Sequence, residues 1–183
     1  MKKFILLSTS LLFTLSISAQ APSYVDFEWD IVNFGFLFST AEESNVGSYN
    51  STEVRYNATD NFALGFGFGF SNVLNEPEGS NIDIDNGYSY IIGEYYLYGN
   101  SGQRPFAGLG LGINTQSTTF VNGDPGSNST STSSFFAPRI GYEFNHVRLT
   151  AQYGIAPRSN HSNFFSLSAG ITLWGGYKGK QYE

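Results

Sequence analysis

Cysteine is absent from the 183 residues, which removes both a disulfide framework and a thiolate metal site. Charge is scarce as well. Only 13% of the residues are Asp, Glu, Lys or Arg, about half the ~25% usual for a soluble domain, and a water-facing surface would be hard to cover with so few. The charge present is acidic, with 9 basic against 15 acidic side chains. No Lys/Arg cluster offsets that balance, so a nucleic-acid partner is not expected. Beyond the N-terminal segment no apolar run reaches the ~20 residues of a transmembrane helix, and helical i, i+3, i+4 patterning is nearly missing.

What the sequence does contain is 21 glycines and 17% aromatic residues, arranged with period two. Phe62, Leu64, Phe66, Phe68 and Phe70 alternate with Ala63, Gly65, Gly67 and Gly69. Ala107, Leu109, Leu111 and Ile113 alternate with Gly108, Gly110 and Gly112, and Phe165, Leu167, Ala169, Ile171 and Leu173 with Ser166, Ser168, Gly170 and Thr172. Strict alternation is the signature of strands with two unlike faces. Eight such segments are predicted, over 27–39, 48–58, 62–73, 87–99, 105–120, 134–145, 147–157 and 163–175. Each is long enough to cross a bilayer as a tilted strand of ~9–11 residues.

The N-terminus reads differently. Lys2 and Lys3 precede an apolar stretch from Phe4 to Ile17, followed by Ser18-Ala19-Gln20-Ala21. This is the pattern of a secretory signal peptide over residues 1–19, with cleavage expected after 19 or after 21. Losing its two lysines would take the formal charge from −6 to −8. Residues 22–183 are then a single domain. A mature chain without a spanning helix can cross a membrane only as a closed barrel, because lipid leaves no backbone group unpaired.

The predicted connections alternate in length. Ala58-Thr59-Asp60-Asn61, Asn100-Ser101-Gly102-Gln103-Arg104 and Asn145-His146 read as tight turns. Residues 40–47, 74–86, 121–133 and 158–162 read as longer polar loops, and the Ser/Thr/Asn/Gly-rich stretch from Asn122 to Ser134 is expected to be mobile. Short turns on one rim and long loops on the other describe an all-β, closed antiparallel up-and-down transmembrane barrel of about eight strands in a bacterial outer membrane. Its short turns would face the periplasm. A soluble barrel also alternates, but its second face would need Lys and Glu where this chain has Gly-Gly-Gly.

The charges that fall inside strands all lie on the weaker face: Glu53, Arg55, Glu94, Arg139, Glu143 and Arg148. Glu28 and Asp30 join them if the first strand changes phase at a bulge near Val32. In a narrow lumen these groups are expected to pair with one another, since a lone buried charge is prohibitive. Eight strands enclose a bore that side chains just fill, which favours a plug over an ion path. Pro138 interrupts the sixth strand, marking a bulge or the start of pairing. Trp29 and Trp174 fall near the inner rim, and Tyr88, Tyr90, Tyr95, Tyr96 and Tyr98 crowd the fourth strand. An aromatic girdle and cross-strand packing would each account for some of them.

Sites of chemistry are sparse. Gly65-Phe66-Gly67-Phe68-Gly69 and Gly108-Leu109-Gly110-Leu111-Gly112 lack dinucleotide-fingerprint spacing and lead into no helix. His146 and His161 are the two histidines. The His161-Ser162 pair lacks an orienting third group, so neither catalysis, a cofactor nor a metal is expected.

The segments Glu53-Val-Arg-Tyr-Asn-Ala-Thr-Asp-Asn-Phe-Ala-Leu-Gly65, Arg104-Pro-Phe-Ala-Gly-Leu-Gly-Leu-Gly112 and Pro138-Arg-Ile-Gly-Tyr-Glu-Phe-Asn145 resemble the small outer-membrane β-barrel family, similar in plan to the OmpA transmembrane domain and OmpX. The resemblance covers nearly the whole mature chain, except that residues 175–183 continue past the last strand. It implies a structural or surface-interaction barrel whose partners are outer-membrane lipid and an extracellular molecule met by the long loops. A small pore is the alternative. A lipid-modifying enzyme or a soluble ligand-binding barrel stands further behind.

Overall fold

The computed structural model describes residues 26–39, 46–75, 82–97, 103–120, 129–156 and 163–174. The signal-peptide segment lies outside them. Eight strands run in chain order: β1 (Phe27–Ser39), β2 (Val46–Thr59), β3 (Phe62–Asn75), β4 (Ile82–Tyr96), β5 (Gln103–Phe120), β6 (Ser129–Phe144), β7 (Val147–Gly154) and β8 (Phe164–Leu173). Each pairs antiparallel with its neighbour and β1 pairs with β8, closing an up-and-down barrel without a free sheet edge at the seam. Each of the eight predicted segments overlaps one of these strands, though β7 ends at Gly154 rather than 157.

The faces follow the alternation. Leu64, Phe66, Phe68 and Phe70 of β3 point outward and are exposed, as are Ile91, Leu111, Ile113, Ile140, Leu149 and Ile171. Charged side chains turn inward, and Arg55, Arg104 and Arg148 are fully buried. This inverts the distribution of a water-soluble protein, in which an apolar belt of this extent would be an aggregation surface. Aromatics also pair at the short-turn rim: exposed Phe27 against Tyr56 (ring centroids 5.1 Å) and half-buried Trp29 near exposed Trp174 (5.9 Å). Tyr95, Tyr142 and Phe144 stand in the same belt. Tyr88, Tyr90 and Tyr96 instead point into the lumen. Tyr98 lies outside the described residues.

The phase change in β1 is real. Register shifts between Asp30 and Asn33 against β2, and between Asp30 and Val32 against β8. The extra residue keeps Glu28 and Asp30 inside below the bulge and Asn33 and Leu37 inside above it. Asn145 closes the β6–β7 turn with φ 52°, a left-handed conformation that Asn tolerates through its short polar side chain.

Three expectations need correction. The β5–β6 hairpin is longer than its composition suggested: β6 begins at Ser129, and Thr118↔Ser129 through Ile113↔Ser134 are paired. Much of the stretch expected to be mobile is therefore strand. β-Branched Thr suits a pleated surface, and Thr115 and Thr132 bring their hydroxyls to 3.3 Å across it. β4 likewise begins at Ile82, inside the expected 74–86 loop. Pro138 marks neither a bulge nor a strand start. It stays in register opposite Leu109. Its missing N–H falls on the β7 side, where the ladder ends at Arg139↔Gln152 and resumes as the single bridge Phe136↔Ile155.

Candidate functional site

The lumen gathers the buried charged side chains of the described chain, and it is layered. The layer nearest the short turns is ionic. Glu28 and Asp30 come from β1, Glu53 and Arg55 from β2, Glu94 from β4, Arg104 from β5, Arg139 and Glu143 from β6 and Arg148 from β7. Arg55 forks onto Asp30, with Nη1–Oδ2 at 2.5 Å and Nη2–Oδ1 at 2.9 Å, and also reaches Glu53 at 3.3 Å and Glu28 at 3.4 Å. Arg139 forks onto Glu53 through two 3.0 Å bonds and lies 3.1 Å from Glu94. Arg148 joins Glu94 at 2.5 Å, Glu143 at 3.0 Å and Asp30 at 3.7 Å. Arg104 donates to Glu143 at 2.9 and 3.0 Å and to Glu28.

Every one of the five carboxylates thus meets at least two guanidiniums, and bidentate forks of this kind are the strongest form of the contact. Two arginines also lie on aromatic rings, Arg104 3.8 Å over Tyr96 and Arg148 3.7 Å over Phe106. Neutral groups complete the layer: Asn57 donates to Glu28 at 2.9 Å and Thr172 of β8 to Asp30 at 2.5 Å. β3 sends in no charge. Its Gly65 leaves the space that the Arg55 stem occupies, a Cβ there falling 2.9 Å from Arg55 Cγ. Gly108 does the same for Glu94.

Above the ions sits an aromatic layer of Tyr49, Tyr88, Tyr90, Phe135 and Phe164, with Leu37, Ile92 and Ala137. Tyr90 couples the two layers, donating to Glu53 Oε1 at 2.8 Å while its hydroxyl lies 3.3 Å from that of Tyr49. The cleft among these rings, Gly110 and Gln152 has no room for a water molecule. Nearer the long-loop rim the lining turns neutral and polar, with Ser71 bonded to Tyr88 at 3.0 Å and Asn114 to Asn86 at 3.3 Å.

The structure brings Glu53, Arg55, Glu94, Arg139, Glu143 and Arg148 together, along with Glu28 and Asp30. Arg104 is the member the sequence reading assigned to a turn. It opens β5 and is buried. Its even number shares the inward phase of Gly108, Gly110 and Gly112, a signal present in the sequence. His146 stands at the β6–β7 turn with Nδ1 3.0 Å from the Thr172 carbonyl oxygen. His161 and Ser162 lie outside the described residues. Chemically the lumen offers paired, buried ions beside packed rings, an arrangement that fills space and ties strands together.

No family model matches the chain, and no curated protein sequence matches it either. Solved structures do. Neisserial surface protein A superposes with a TM-score of 0.60 at 17% identity, covering 82% of this chain and 97% of that one. Ail, the attachment invasion locus protein of Yersinia pestis, gives 0.51 at 14% identity over 83% and 99%. The N-terminal β-barrel domain of Pseudomonas aeruginosa OprF gives 0.50 at 11% over 84% and 100%. At these identities the likeness establishes the fold, that of the small eight-stranded barrels.

Proposed function

We propose that this protein is an exported, non-conducting barrel of a bacterial outer membrane, with a structural or surface-interaction role carried by its long-loop rim. Residues 1–19 would serve as the signal peptide and residues 22–183 as the barrel domain. The apolar outer belt and the aromatic rim support lipid as its surroundings. Likeness in fold to a surface protein and to an attachment protein supports a role facing outward. Outer-membrane lipid is then one partner, and a molecule outside the cell the other.

The observation that carries the reading is the state of the lumen. Paired ions and an aromatic cleft with no room for a water molecule support a plugged lumen over an aqueous path. The same pairing speaks against an enzyme, because a carboxylate held by two arginines is not free to act as a general base. The test is conductance across a planar bilayer, using mature protein refolded and checked for a heat-sensitive shift in gel mobility. A folded, inserted barrel is expected to be silent. Discrete current steps would replace this reading with a small pore gated by the ionic layer.

A further inference from the structure

The outer wall carries a second polar feature, distinct from the lumen, just where the apolar belt ends on the long-loop side. Two register rows cross four strands there. In one, Asn50 pairs with Phe70, Phe70 with Gly87 and Gly87 with Thr115. In the next row outward, Asn72 pairs with Asp85. All six side-chain positions face away from the lumen.

Gly87 leaves a gap in its row. A Cβ placed there would meet nothing closer than the Thr115 carbonyl oxygen at 4.0 Å. The result is a hollow of about 340 Å³, within the size range of small-ligand sites (~300–1,000 Å³). Its floor is edged by the exposed ring of Phe70. Its wall holds Asp85, which accepts from Asn72 Nδ2 at 3.0 Å, and Asn50, whose Oδ1 is shielded from solvent and has no hydrogen-bond partner. Asp85 is exposed, and its carboxylate has acceptor sites beyond the one that Asn72 fills, so a ligand hydroxyl can donate to it.

The donors and acceptors here are neutral apart from Asp85. Among the described residues every arginine is turned into the lumen and no lysine occurs. A phosphate or sulfate group would therefore meet a carboxylate with no cation beside it. A pyranose ring fits better. Its hydroxyls both donate and accept, which suits carboxamides and a carboxylate, and its C–H face can lie on an aromatic ring. The hollow opens at the border between Phe66, Phe68 and Phe70 and the polar rim, so an acyl anchor could run along the belt while the sugar occupies the gap.

We propose that this hollow binds the uncharged sugar headgroup of a glycolipid, an inference that rests on the membrane reading above. The test uses the protein in phosphatidylcholine nanodiscs containing an increasing fraction of monogalactosyldiacylglycerol. The side-chain amide resonances of Asn50 and Asn72 are followed by NMR, and phosphatidylglycerol replaces the galactolipid in a parallel series. Saturable shifts with the galactolipid alone are expected, weakened about tenfold or more in Gly87→Val, whose side chain fills the gap from a Cβ that itself meets nothing closer than 4.0 Å. Absence of shifts in an inserted, heat-modifiable barrel would overturn the site and leave the membrane reading standing. Equal shifts with phosphatidylglycerol, or undiminished shifts in Gly87→Val, would overturn it too. A chain that never enters the bilayer would overturn both.

Discussion

Removing one arginine from the lumen should cost more than neutralising one carboxylate, and Arg148 and Glu143 make the comparison. Glu28, Asp30, Glu53, Glu94 and Glu143 face Arg55, Arg104, Arg139 and Arg148, so the layer carries one formal negative charge in excess when all are ionised. Arg148→Met keeps the volume of the stem but doubles that excess. It removes contacts at 2.5 Å to Glu94 and 3.0 Å to Glu143, each a gross attraction of about 5–7 kcal/mol at an effective dielectric constant of 20. It also removes the cation from above Phe106. The desolvation penalty of the lost guanidinium is relieved at the same time, and the net loss for breaking a buried pair is about 3–5 kcal/mol. Glu143→Gln brings the layer to formal neutrality; its amide oxygen can accept from Arg104 in place of Oε1, but its NH2 then stands where Oε2 accepts from Arg148, so the cost should be about 1–3 kcal/mol. The assay is equilibrium unfolding by denaturant in lipid vesicles, read through Trp29 and Trp174. Adding Glu94→Gln to Arg148→Met restores the original formal charge, and about 0.5–3 kcal/mol should return as coupling. The reasoning fails if Glu143→Gln is the more damaging change, or if Arg148→Met lies within about 1 kcal/mol of the parent.

The same unfolding assay separates the inner glycines from the outer ones. Gly112→Ala would drive a Cβ against the Ser89 carbonyl oxygen and to 2.6 Å from Tyr90 Cβ, so a loss of about 1–3 kcal/mol is expected. Gly87→Ala projects into open space and should be neutral or gain up to about 1 kcal/mol. A Gly112→Ala protein as stable as its parent would mean the inner wall yields more than the contacts imply. Pro138→Ala supplies the missing donor toward β7, worth about 0.5–1.5 kcal/mol, against about 0.4–1 kcal/mol of chain entropy regained on unfolding. The unfolding midpoint should hardly move while hydrogen exchange slows at Phe136 and Ile155; faster exchange there would show that the proline stabilises this junction.

The strand plan was legible because one physical constraint repeats along the chain. Each strand separates a crowded interior from an apolar exterior, so residue parity alone places Phe66 outside and Glu53 inside. Strand ends were less legible. Ser129 to Ser134 and Ile82 to Asn86 have loop-like composition, and it is the paired partner strand, as at Thr115 and Thr132, that makes them sheet. Arg104 reads as turn because Asn100 and Gly102 before it have turn composition, although its phase matches Gly108. Which carboxylate meets which arginine could not be read at all. That depends on register, and the β1 bulge changes it within three residues. The outer hollow is hidden for the same reason, since Asn50, Phe70, Gly87 and Thr115 become neighbours only once four strands are aligned.

The distribution of the ions also bears on how the barrel closes. Each of the arginines finds carboxylates on other strands: Arg55 on β1 and β4, Arg104 on β1 and β6, Arg139 on β2 and β4, Arg148 on β1, β4 and β6. An open sheet in contact with lipid would hold these charges on one face with many of their partners out of reach, at a cost that grows with every unpaired ion. Pairing and closure are therefore coupled. Asp30 sits where that coupling is tightest, beside the β1–β8 seam, bonded to Thr172 of the last strand and forked by Arg55 of the second. The bulge between Asp30 and Asn33 keeps this carboxylate inside the lumen, so an irregularity in the first strand supplies the counter-charge that joins it to the eighth.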